Sequence, residues 1–134
     1  MPRPRAARMA LPIILIALAM GCSDNGPGSL DVSGSWSGVT SFNNGFSTSM
    51  DLTQTGTAVG GTMTVAGAFI DNTFTGTLDA TNRTVEWEVL RGCESWGGTL
   101  SVSADGTQMT GALLVDRTGC SSGSNESGTV SVSR

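Results

Sequence analysis

Three cysteines, eleven carboxylates and a complete absence of histidine and tyrosine set the chemistry open to this 134-residue chain. Imidazole is the usual general base near neutral pH and the commonest zinc and copper ligand. Without it, Ser-His-Asp and Cys-His catalysis and most transition-metal sites are removed together. The cysteines fall at 22, 93 and 120, so there is no Cys-x-x-Cys spacing to activate a thiol, and Arg91 and Arg117 are the only cations near the later two. Among the acids, Glu86 and Glu88 flank Trp87 and are expected on a solvated surface. Glu94, beside Cys93 and near Trp96, is the acid of most interest, and Asp71-Asn72 is its expected companion. A glycosidase pair needs about 5 to 9 Å between carboxylates in an aromatic-lined groove. A calcium loop needs Asp-x-Asp-x-Asp-Gly, a spacing that does not occur here. The expectation is a noncatalytic protein with no metal and no cofactor.

The elements that must deliver and hold these residues begin with the first 22. Arg3, Arg5 and Arg8 form a positive head, residues 9–20 are apolar and broken only by Pro12, and Ala19-Met20-Gly21 places small or aliphatic residues before Cys22. Twelve residues are too few to cross the hydrocarbon core of a bilayer, which takes roughly 20. The layout reads as a secretory signal ending at a lipid-attachment cysteine. It resembles the bacterial lipoprotein signal. That resemblance implies removal of residues 1–21, acylation of Cys22 and tethering to a membrane of the cell envelope. Ser23, in the place where an aspartate retains such proteins in the inner membrane, favours sorting to the outer membrane. Plain secretion is the rival reading, but lipidation consumes one cysteine and leaves Cys93 and Cys120 as a pair. In an oxidising compartment a disulfide is the default for such a pair. Closing a loop of about 28 residues would contribute roughly 3 kcal/mol.

Beyond the signal the chain keeps four arginines, Arg83, Arg91, Arg117 and Arg134, against eleven acids, a formal charge of −7. An acidic domain without lysine offers no electrostatic footprint for nucleic acid. Residues 22–32, rich in Ser, Asp, Asn, Gly and Pro, read as the lipidated cysteine and a flexible tether, and 33–134 as one domain with a modest core.

Within that domain apolar residues recur at every second position. Phe46, Thr48, Met50 and Leu52 alternate with Ser47, Ser49 and Asp51, and Val85, Trp87 and Val89 alternate with Thr84, Glu86 and Glu88. Such rows are strands with one dry and one wet face. The pattern predicts eight, over 34–41, 46–54, 59–65, 73–79, 84–90, 98–103, 108–116 and 128–133. No segment is suited to a helical crossover, so the strands should form an antiparallel meander. The predicted fold is therefore all-β, an eight-stranded antiparallel up-and-down β-barrel, in which closure removes unpaired edges. A two-sheet sandwich would use the same alternation. Gly38, Gly61, Gly76 and Gly111 fall in the inward rows, where they leave room for Trp36, Phe74 and Trp87.

Gly34-Ser35-Trp36, opening the first strand of this meander, is similar to the Gly-x-Trp that begins lipocalin and avidin-like barrels, the calycin type. The resemblance implies a tryptophan plug at one end, with Arg134 packed across Trp36. It does not carry biotin binding over, because that site uses tyrosine. In a meander, alternate connections share an end, and residues 42–45, 66–72, 91–97 and 117–127 gather at one of them as longer loops. Cys93, Cys120, Glu94 and Trp96 belong to this end, with Phe42, Phe46 and Phe69 around it, and a site is expected there. Two functions fit: a binding module taking a small apolar ligand at the barrel mouth, or an interaction or inhibitor module with a solid core whose loops grip an envelope protein.

Overall fold

A computed structural model describes residues 29–134. The signal segment, Cys22 and the first part of the expected tether lie outside the described residues. Eight strands follow in order: β1 Gly34–Ser41, β2 Gly45–Thr55, β3 Ala58–Val65, β4 Phe69–Asp79, β5 Thr84–Arg91, β6 Glu94–Val102, β7 Gln108–Asp116 and β8 Glu126–Ser133. Each pairs antiparallel with the next, and β8 returns to β1 through Ser37↔Ser133 and Thr40↔Val130, closing the barrel. The up-and-down barrel is thus the observed architecture, and the sandwich is not.

Two-residue alternation positions the core as expected. Met50 and Leu52 on β2, Phe74 and Leu78 on β4, Val85, Trp87 and Val89 on β5 and Met109, Leu113 and Val115 on β7 all point inward and are buried. Phe74 and Trp87 stack with ring centroids 5.5 Å apart. The outer wall is dressed in Ser, Thr and Glu, the reverse of a barrel that faces lipid. Two inward threonines, Thr40 and Thr48, satisfy each other: the Thr48 hydroxyl donates to Thr40 Oγ1 at 2.8 Å.

Inward glycines are a steric requirement. A Cβ at Gly61 would lie 1.9 Å from the Asp51 carbonyl oxygen, and one at Gly111 would lie 1.9 Å from that of Thr99. These strands approach so closely because the barrel is narrow, and no side chain fits between them.

Several boundaries differ from those read in the sequence. The fifth connection is only Gly92-Cys93, with Arg91 paired to Glu94 and Gly92 at φ 57 as the first turn residue, as a tight hairpin of this kind requires. β4 begins four residues earlier than expected, because a register shift opposite Met63 and Val65 and a positive φ of 50° at Asp71 reverse the alternation. Phe69 therefore faces inward while Ile70 faces solvent.

The tether also ends sooner. Leu30 is 8% and Val32 0% exposed, so both belong to the core. Gln54 fastens them: its Nε2 donates to the Leu30 carbonyl at 3.0 Å and its Oε1 accepts from the Val32 N–H at 2.9 Å. Trp36 Nε1 donates to the Val32 carbonyl at 2.9 Å, and the Arg134 guanidinium lies 4.5 Å over the Trp36 ring. Arg134 also donates to the carbonyls of Asp31, Ser33 and Gly106. The tryptophan plug and its arginine cover are therefore present, and they bind both ends of the described residues to the end of the barrel that carries the turns at residues 56–57, 80–83 and 103–107.

Candidate functional site

The opposite end is open. Connections 42–44, 66–68, 92–93 and 117–125 meet there, of which only the last is long. The Cys93–Cys120 disulfide, with Cα atoms 5.1 Å apart, pins that long loop to the β5–β6 hairpin. By the loop-closure argument it contributes about 3 kcal/mol.

Between the loops lies a cavity of about 210 Å³. Its apolar wall is formed by Phe42, Phe46, Val65, Ala68 and Trp96. Trp96 is the hub: Phe42 meets it edge-on at 5.6 Å and Phe69 at 5.0 Å. Arg91, Arg117 and Glu126 form the polar side. Glu94 stands behind them, holding Arg91 Nη1 at 3.2 Å and Arg117 Nε at 2.5 Å. Desolvation works to raise the Glu94 carboxyl, but the hydrogen bond and charge of Arg117, with the charge of Arg91, outweigh it. The group is held below the ordinary glutamate range. The same hydrogen bond raises Arg117. Trp96 Nε1 faces Glu94 and helps to lower it, yet has no hydrogen bond of ordinary geometry and is buried without a partner.

The expected site residues are thus divided. Phe42, Phe46 and Trp96 line one cavity; Phe69 is buried behind Trp96 and does not line it. Trp96 is not in a loop. It lies on β6 at 3% exposure, because the glycines after it are strand residues packed close to β5 and β7 rather than turn residues. Glu94 opens the same strand and is committed to two arginines. Asp71 and Asn72 do not join it; they line a groove on the outer wall with Thr73, Thr75, Glu88 and Leu90. Glu86 and Glu88 are exposed, as their flanking of Trp87 implies. Among the described residues no group of three His, Cys, Asp or Glu side chains is placed to hold a metal ion. Arg91, Arg117 and Glu126 were not singled out as site residues by sequence reasoning. One signal was there: Arg91 precedes Cys93 by two residues and Arg117 precedes Cys120 by three, so the disulfide that gathers the loops gathers the arginines.

Fold and site together define a small closed up-and-down barrel, filled below and open at one mouth, compatible with the calycin type of architecture. No protein-family model, curated protein or solved structure matches the chain.

Proposed function

We propose that this chain is a noncatalytic binding module of a bacterial cell envelope, held by lipid on Cys22 at a membrane, the outer one by the Ser23 argument, with a small apolar ligand at the barrel mouth. The observation that carries the binding half is the cavity of about 210 Å³ walled by Phe42, Phe46 and Trp96. Sites for drug-sized ligands run from about 300 to 1,000 Å³, so this one suits a single ring or a short chain. Below it the interior is filled by Trp36, Met50, Met63, Phe74 and Leu100, and a ligand would stop at the mouth.

Phenylacetamide, a neutral ring of suitable size, should shift the indole N–H resonance of Trp96 saturably while leaving that of Trp36 in place. A titration without a saturable shift overturns the ligand reading. The anchoring half rests on the residues before Cys22. Cys22→Ser should abolish acylation and move the protein into the aqueous phase on detergent partitioning; acyl mass or membrane retention in that variant would refute it.

A second reading has its own observation. Phe46, Ile70, Leu90 and Leu114 are exposed, and all lie on the half of the barrel nearest the mouth. Exposed apolar groups gathered at one end suit an interaction or inhibitor module gripping an envelope protein. The cavity favours the small ligand, because a protein partner needs no hollow.

A further inference from the structure

The hydrogen-bonding capacity left unfilled around the mouth is almost all of one kind. Arg91 uses only Nη1, on Glu94 at 3.2 Å, and its side chain is 45% exposed, which leaves Nε and Nη2 open. Arg117 commits Nε to Glu94 and Nη1 to the Ser124 carbonyl at 2.7 Å, while its Nη2 stands 3.5 Å from Glu126, an ion pair without a good hydrogen bond. Trp96, almost wholly buried, lines the cavity with its ring, while its buried Nε1 is turned to Glu94 and is not a donor open to the cavity. On the acceptor side, both Glu94 oxygens are taken, and Glu126, 53% exposed, keeps one oxygen beyond its ion pair with Arg117. Donors without acceptors call for a ligand that brings acceptors.

Resting on the binding reading above, we propose that the mouth takes a small amphipathic acid. A ring-sized apolar group sits against Phe42, Phe46 and Trp96, and a carboxylate is received by Arg91 and by Arg117 Nη2, where it would displace the 3.5 Å ion pair with Glu126. A guanidinium offers planar paired donors that match a carboxylate, and such charge-assisted bonds are about twice as strong as neutral ones. A cation over the aromatic rings is the competing chemistry. It has only Glu126 to pair with, and Glu126 already faces Arg117. The acidity of the rest of the chain opposes an anion weakly, because charges beyond about 8 Å are screened at physiological salt.

The same ring and carboxylate occur in a free acid and at the C-terminus of a peptide. The test uses the full chain in detergent, titrated with phenylacetate, phenylacetamide and phenethylammonium, and with acetyl-Gly-Gly-Phe as free acid and as amide. Phenylacetate should bind about five-fold tighter than its amide, with the ammonium weakest. Arg91→Gln should bring the acid-to-amide ratio near one, and Glu126→Gln should raise it. Whichever acid binds tighter, free or peptide-borne, identifies the source. Equal affinity of acid and amide in both pairs, or tightest binding by the ammonium, overturns the acid while leaving the apolar-ligand reading intact. No binding by any probe overturns both.

Discussion

Trp36→Ala should lower the stability of the domain by about 3 to 5 kcal/mol, read as a fall in the urea midpoint. Three losses combine at that position. The largest buried ring of the closed end disappears, with its contacts to the surrounding core. The Val32 carbonyl loses its donor in a buried setting, and an acceptor so orphaned typically costs about 1 to 3 kcal/mol of the total. Arg134 loses the surface over which it lies, and with it the reason for its bonds to Asp31, Ser33 and Gly106 to form together. A loss below about 1 kcal/mol would show that Gln54 and the backbone hold this end without the plug.

Trp96→Ala should be of similar size, about 3 to 5 kcal/mol, although the sequence placed this residue in a tolerant loop. Its ring is buried on β6 and each edge-on contact, with Phe42 and Phe69, contributes about 0.5 to 1.5 kcal/mol beyond burial. Alanine therefore cannot separate binding from folding here. Phenylalanine can. Trp96→Phe keeps a six-membered ring for the edge-on contacts and loses three buried ring atoms with the Nε1–H, which has no ordinary hydrogen bond, so it should cost about 1 to 2 kcal/mol. Thermal and urea unfolding of the two variants would check the contrast; equal, severe losses in both would show that the indole's full width is needed to close the mouth.

The fold was legible because alternation is a strong signal where strands have one dry face, as in the run from Phe46 to Leu52. It failed where the backbone departs from that period. At Asp71 the bulge moves the inward position from Ile70 to Phe69, and no local composition announces it. In Trp96-Gly97-Gly98 the first glycine reads as the end of a loop and the second as the start of a strand, whereas both lie within a strand and let β6 approach its neighbours closely. Leu30 and Val32 were hidden in a polar stretch because two apolar residues make no period. The mouth aromatics were found by type and topology. The arginine pair was missed because what matters there is which donors remain unfilled, a property of side-chain placement.

Both ends of the described chain leave from the plugged end, since Leu30 and Arg134 are fastened around Trp36. If Cys22 carries lipid, seven residues, 23–29, separate the bilayer from that plug, a reach of at most about 25 Å. The barrel then stands on the membrane like a cup on its base, with the opening away from the lipid. Its ligand would arrive from the water of the envelope space and would not be drawn out of the bilayer. Quenchers attached to lipid headgroups would dim Trp36 far more than Trp96 in that posture, and the reverse order would invert the cup.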